Sequence, residues 1–196
     1  MSPRNRVIIF LTVLVGVVLL LTLIFGRPFA KKDSSQAPPA TKDKGLELVD
    51  YATRDSRVVF TIEGPIVSQE VHRSVRITAD RLQTKLEVIQ GYDNNVIQTN
   101  TFRNTEASYT AFLQAISRQG FASERKTRID DPRSACPLSQ RYYYELYDGG
   151  EQKLNLWSAT CSTNGSSRAR SGTVRSLFER QIPDYSRLVQ NVRLST

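Results

Sequence analysis

Residues 7–26 form an uninterrupted apolar run of twenty positions without a charged, amide or proline side chain. As an α-helix, with a rise of about 1.5 Å per residue, this run is about 30 Å long, which matches the hydrocarbon core of a bilayer. Inside that core the backbone polar groups have to be hydrogen-bonded within the segment, as they are in a helix. The run therefore predicts a transmembrane helix, so that only the polar residues after it remain to form a globular fold.

A cleaved signal peptide is the alternative interpretation of the apolar run. Signal peptides usually have an apolar core of about 7 to 15 residues, followed by small residues at the cleavage site. The run in this chain is longer, and Pro28-Phe29-Ala30 follows it. We therefore predict an uncleaved, single-pass signal anchor that contacts the lipid bilayer. Charge alone does not give its orientation, because basic residues flank both ends: Arg4 and Arg6 on one side, and Arg27, Lys31 and Lys32 on the other.

The two cysteines of the chain, Cys136 and Cys161, bear on this orientation. An even number of cysteines in a domain outside the cytoplasm is typical of a disulfide, and two free buried thiols are the alternative. A disulfide between them places the C-terminal domain outside the cytoplasm and residues 1–6 inside it. The sequence thus predicts a protein of the cell membrane with an extracytoplasmic domain.

The segment between the cysteines predicts a β-hairpin. Two runs rich in aromatic and apolar residues, 141–147 and 151–157, flank Asp148-Gly149-Gly150. A three-residue loop pairs Tyr147 with Glu151, and the disulfide then closes the open end of the hairpin. This register gives one apolar face and one face with a salt bridge and a cation–π contact: Tyr144 opposite Leu154 and Tyr142 opposite Leu156, and Glu145 against Lys153 and Arg141 against Trp157.

The net charge of +8 is concentrated near the apolar run, since residues 1–44 carry +5 of it. These charges are placed to contact anionic lipid headgroups. In the rest of the chain, two basic loops that the disulfide would bring together are candidate anion contacts, with a solvated surface as the alternative. Their residues are Arg125, Lys126, Arg128, Arg168 and Arg170. No aromatic residues are interleaved with them, so nucleic acid is not an expected partner.

Residues 27–44 contain three prolines and several charges but no hydrophobic period, which predicts a disordered linker. Residues 45–196 are long enough for one hydrophobic core. Alternation predicts an antiparallel meander over residues 57–102, in which Ile66-Val67 continue the first strand after a bend at Gly64-Pro65.

Helical spacing begins after this meander. It predicts a helix capped by Asn104 or Thr105, a second helix that starts near Thr173 and is broken by Pro183, and a last turn capped again by Asp184. The first helix buries Tyr109, Phe112, Leu113 and Ile116. The predicted fold class is α+β: an N-terminal transmembrane helix, then one two-layer domain with an antiparallel sheet and helices on one face.

Several segments of the sequence carry motifs at a characteristic spacing: Phe102-Arg-Asn104-Thr105, Cys136-Pro137, Arg141–Leu146, Trp157-Ser158 and Gln181–Tyr185. These segments resemble a family of single-pass, membrane-anchored envelope proteins from small-genome, Saccharibacteria-like candidate-phylum bacteria. The likeness covers most of residues 57–185. It implies the topology and a location in the bacterial cell envelope, but it implies no activity and no functional residue.

Catalytic patterns are weak in this sequence. His72 is the only histidine, and its position before a predicted strand favours a surface side chain over a member of a Ser-His-Asp triad. One histidine and two paired cysteines do not supply a usual zinc site, so we expect no metal and no cofactor. Many acidic residues are present, and the sequence selects no pair of them as a general acid and base.

Aromatic residues in the hairpin suggest a binding surface instead. If helices cover the Tyr142 face, then Tyr143, Tyr147 and Trp157 form an aromatic patch on the opposite face, unless both faces are covered. We expect a non-catalytic binding or scaffolding module whose partner is another envelope protein or a cell-wall polymer. The alternatives are an envelope enzyme acting on cell-wall polymer with unidentified carboxylates, and polyanion binding by the arginine-rich loops.

Overall fold

The computed structural model describes residues 46–161 and 165–194. The predicted cytoplasmic N-terminus, transmembrane helix and linker lie outside the described residues. Among the helices that the structure does describe, none combines the length and apolarity needed to cross a membrane. All described residues belong to one compact unit.

Six antiparallel strands make up a single sheet: β1 (Ser56–Glu63), β2 (Arg73–Asp80), β3 (Gln83–Gln90), β4 (Asn95–Arg103), β5 (Arg141–Asp148) and β6 (Glu151–Ala159). Their spatial order is β4-β3-β2-β1-β5-β6. The meander of four strands and the later hairpin are confirmed. The hairpin joins the meander at β1, which becomes a central strand with β2 on one side and β5 on the other.

The described part of the chain also contains three α-helices, one between β4 and β5 and two after β6: α1 (Glu106–Arg118), α2 (Ser171–Glu179) and α3 (Tyr185–Leu188). Thr105 caps α1 as predicted, because its side-chain oxygen accepts a hydrogen bond from the Ser108 amide. Asp184 stands at the N-cap of α3, as predicted, but it does not cap the helix with its side chain. That residue has a φ of 54° and its side chain makes no capping hydrogen bond, although its carboxylate contacts Arg187.

The hydrophobic core lies between the helices and one face of the sheet. Phe60 is at its centre, opposite Ile77 on β2 and Tyr144 on β5, and its ring stacks on that of Phe178 from α2 at 5.1 Å. The α1 residues predicted to be buried are buried: Tyr109, Phe112, Leu113 and Ile116. The α+β architecture with helices against one face of an antiparallel sheet is therefore confirmed.

The predicted hairpin register is wrong by two residues over most of its length. Gly149 and Gly150 both have positive φ, 56° and 90°, so a two-residue turn pairs Asp148 with Glu151. An irregularity after Leu146 then sets Tyr144 opposite Leu156. Because side chains alternate between the two faces, a register shift of two residues keeps each of them on its predicted face. Tyr142 and Tyr144 do lie in the core.

Other pairings that depended on the predicted register are also corrected. Glu145 lies opposite Asn155, while Lys153 forms its ion pair with Glu151. Arg141 lies opposite Ala159 and not against Trp157.

The predicted continuation of β1 through Ile66-Val67 is wrong as well. These residues form no strand, because the chain leaves the sheet at Gly64-Pro65 and the Ile66 amide donates to the Pro137 carbonyl at 2.7 Å. Cys136, next to Pro137, pairs with Cys161 at disulfide distance, with their Cα atoms 6.1 Å apart.

Candidate binding site on the outer face of the sheet

The outer face of the sheet is the face that points away from the core, and it carries mostly polar and charged side chains. The strand registers arrange them in rows across the sheet. One row runs Glu145, Val59, Thr78 and Lys85, and the next runs Tyr143, Thr61, Arg76 and Glu87. Because alternate residues of a strand point to opposite faces, the same strands that fill the core with apolar side chains supply this surface.

A depression of about 280 Å³ lies in the middle of the outer face. Its shape follows from side-chain length, since Val59 and Thr78 are short and lie opposite each other on neighbouring strands. Longer side chains surround this pair. They are Arg57, Arg76, Asp80, Gln83, Lys85, Glu87, Glu145 and Tyr147, which include three cations and three anions.

Glu87 is the most strongly paired carboxylate of the depression. It is 7% exposed and accepts hydrogen bonds from Arg76 Nε and Lys85 Nζ, each at 2.9 Å. Burial by itself raises the pKa of Glu87, but the hydrogen bonds and charges of Lys85 and Arg76 outweigh it and lower that pKa. The Glu87 carboxylate is therefore ionised at neutral pH, and it fixes two cations on one side of the depression.

On the opposite side, Arg57 and Tyr147 form a stacked pair. The Arg57 guanidinium lies over the Tyr147 ring at 4.3 Å from its centroid and makes no ion pair with another described residue. The Tyr147 hydroxyl donates to Glu145 Oε1 at 2.9 Å, and Gln152 donates to the same oxygen. Burial and the neighbouring Glu145 raise the pKa of Tyr147. Stacking leaves the guanidinium donors of Arg57 available to a ligand.

The residues of the predicted aromatic patch are split between two depressions of the outer face. Tyr143, Tyr147 and Trp157 all lie on the outer face, but Trp157 is only 6% exposed. Residues 127–132 border it, together with Tyr143, around an open cavity of about 690 Å³. Tyr147 lies outside this cavity, on the rim of the central depression. Binding of a partner by these three residues stays a prediction.

A buried polar cluster connects β1, β2 and β5 at the sheet end where β1 finishes. Arg141 is fully buried, and its Nε donates to Glu63 Oε2 at 2.8 Å, as does the Tyr143 hydroxyl. Burial and the Glu63 charge raise the pKa of Tyr143. His72 Nε2 lies 3.6 Å from the other Glu63 oxygen, and the His72 ring stacks on Tyr92 at 4.1 Å.

The prediction of His72 as a surface side chain is wrong, because His72 is 2% exposed. Sequence reasoning missed this cluster, since charged residues at strand ends are usually solvated. The sequence does place Glu63 at the end of one strand and Arg141 at the start of another. Only the pairing of β1 with β5 shows that these two residues lie opposite each other.

The two basic loops do lie together, as predicted. Glu124 and Ser167 form an antiparallel bridge, the Arg125 amide donates to the Ser166 carbonyl, and Arg125 Nε donates to the Gly165 carbonyl at 2.7 Å. Arg125 lines a cavity of about 600 Å³ with Ser158 and Ser171. Of the predicted anion contacts, Lys126, Arg128, Arg168 and Arg170 are exposed and do not line this cavity. Anion binding here stays a prediction.

Within residues 46–161 and 165–194, no group of three or more His, Cys, Asp or Glu side chains is arranged to hold a metal ion. A scan against models of known protein families finds no match, and a search of curated proteins finds none either.

Proposed function

We propose that this chain is a membrane-anchored, extracytoplasmic, non-catalytic binding or scaffolding module that holds an envelope component against the outer face of its sheet. The single observation that carries the proposal is the division of the sheet: helices cover one face, and a polar depression occupies the middle of the other. Anchoring and location rest on the apolar run and the cysteine pair.

The chemistry of the depression favours a polar partner with both hydrogen-bond donors and acceptors. Its lining has three cationic and three anionic side chains and therefore no net charge, so it does not favour a strongly anionic or a strongly cationic partner. Arg57 offers donors beside an aromatic ring, while Val59 and Thr78 form a floor that a flat or extended group can approach. A segment of another envelope protein and a strand of cell-wall polymer both meet this description.

An envelope enzyme is the second candidate, because Asp80, Glu87 and Glu145 all line the same depression. A general acid needs a raised pKa, and the pKa of Glu87 is lowered. Asp80 accepts hydrogen bonds from the amides of Leu82 and Gln83, which assigns it a part in the turn after β2. These contacts favour binding over catalysis.

Site-specific photo-crosslinking of the full chain in intact cells tests the proposal. A photoreactive amino acid replaces Thr78 on the floor of the depression, and a matched control replaces Thr173, which is exposed on α2. We expect adducts at position 78 that are lost when Arg57→Ala is added, and no such adducts at position 173. Equal labelling at both positions, or none at position 78, would overturn the proposal.

A further inference from the structure

The two edge strands of the sheet are protected to different degrees. At β6, Ser167 donates its amide to the Trp157 carbonyl at 2.9 Å, and the Trp157 amide donates to Ser166 Oγ at 2.9 Å. The remaining part of β6 carries the charges of Glu151 and Lys153. At β4, no described residue adds a strand to the outer edge. Among the residues that the structure describes, chain segments and charges therefore protect the edge at β6 but not the edge at β4.

Strand β4 has few of the features that keep edge strands from pairing. Residues 95–102 contain no charge and no proline. Val96 and Ile97 are 37% and 50% exposed. A shift in register opposite Val88 and Ile89 is its one irregularity. A nine-residue edge strand of this kind presents unpaired backbone amides and carbonyls as a template for another strand.

Charges at the two ends of β4 indicate which strand fits. Arg103 ends the strand, is exposed and makes no ion pair with another described residue. Asp93, also exposed, stands two residues before the strand and accepts a hydrogen bond from Gln69. A second β4 placed antiparallel about Thr99 sets Arg103 of each copy opposite Asn95 of the other, two residues from Asp93 and within reach of its carboxylate. A parallel arrangement brings like charges together, so the edge is self-complementary only about a two-fold axis.

We propose that the chain forms a homodimer through antiparallel pairing of β4 with β4 of a second copy, with Thr99 near the two-fold axis. The two six-stranded sheets then form one continuous sheet, and the outer-face depressions of both copies stay open. This inference rests on the edge strand and goes beyond the proposed binding on the outer face. Loss of the crosslinks at position 78 would leave it unaffected.

Cysteine crosslinking of the full chain in its membrane tests the dimer. Thr99→Cys places a thiol near the proposed axis, and Asn155→Cys is the matched control, since both positions are exposed and on the outer face of an edge strand. After mild oxidation, we expect Thr99→Cys to give a species of about twice the 22.2 kDa chain mass, which reduction reverses. Peptide mapping should place the link between position 99 of two copies.

The second measurement is the dimer yield after the charges of Asp93 and Arg103 are reversed, first singly and then together. Asp93→Arg and Arg103→Asp each replace two attractive contacts by two repulsive ones, and we expect each to lower the dimer yield about three- to ten-fold. The double variant should restore the yield. Single variants without effect, no dimer with Thr99→Cys, or a link from position 99 to a different protein would each overturn the proposal.

Discussion

The two faces of the sheet are built from the same strands but differ in chemistry: one is apolar and covered by helices, and the other is polar and open. On the core face, Phe60, Phe121, Tyr144 and Phe178 contact one another through their rings, with centroids between 5.1 and 5.7 Å apart. On the outer face, charged residues balance each other around a depression. Stability thus comes from one set of alternating positions, which leaves the other set available for recognition.

Removal of an aromatic ring from the core face should lower the free energy of unfolding more than any other change considered. Phe60→Ala should lower the free energy of unfolding by about 4 kcal/mol, because the ring is fully buried among Tyr142, Tyr144 and Phe178. Tyr147→Ala, the aromatic control on the outer face, should cost about 1 kcal/mol. Denaturant unfolding of the full chain in detergent measures both. Equal losses in the free energy of unfolding would contradict the conclusion that the core face supplies most of the stability.

Loss of the disulfide should have the next largest effect. In the chain-entropy model, a closed loop with a sequence separation of 25 residues contributes about 3.5 kcal/mol. The paired variant Cys136→Ser with Cys161→Ser removes it. The loop that borders Trp157 lies just before Cys136, so loss of the disulfide should also make the Trp157 ring more exposed to solvent. The fluorescence of this single tryptophan reports that change. Reduction that changes neither the unfolding midpoint nor the fluorescence would argue against this role.

Glu63→Gln tests the buried polar cluster at the sheet end where β1 finishes. The substitution leaves the fully buried Arg141 without its anionic partner, and we expect a loss of about 3 kcal/mol. Glu87→Gln is the matched control on the outer face, where Arg76 and Lys85 are partly exposed; it should cost about 1 kcal/mol. The interpretation fails if Glu87→Gln costs as much as Glu63→Gln.

Alkaline pH should have the smallest effect. Burial raises the pKa of Tyr109 to about 12 from an ordinary value near 10. The folded state therefore binds this proton more tightly than the unfolded state, so the contribution is complete below pH 10 and is lost as the pH rises through 12. We expect about 2 to 3 kcal/mol from Tyr109, and Tyr109→Phe should flatten the decline. An unchanged pH profile in that variant would contradict the assignment.

Local patterns in the sequence predicted most of the described fold. Alternation assigned the faces of β5 correctly, and the cap at Thr105 marked the start of α1. The hairpin register was not predictable in the same way, because it depends on whether Gly149 and Gly150 form a two- or three-residue turn. Either turn satisfies the same alternation of side chains.

Long-range contacts explain the remaining differences between the predicted and the observed structure. Pairing of β1 with β5 joins residues between 78 (Glu63 with Arg141) and 92 (Ser56 with Asp148) positions apart, and no local pattern specifies it. That pairing buries Arg141 against Glu63 and completes the wall of the depression with Glu145 and Tyr147. The residues of the outer face were predictable from alternation, whereas the depression between them required the order of the strands.

The sidedness of the domain in intact cells is the sharpest test of an extracytoplasmic binding module. An added protease is combined with thiol labelling of Cys136 and Cys161 before and after reduction. We expect the protease to cleave the domain and both thiols to react only after reduction. Protection of the domain, with both thiols labelled without reduction, would place it in the cytoplasm and contradict the proposed function.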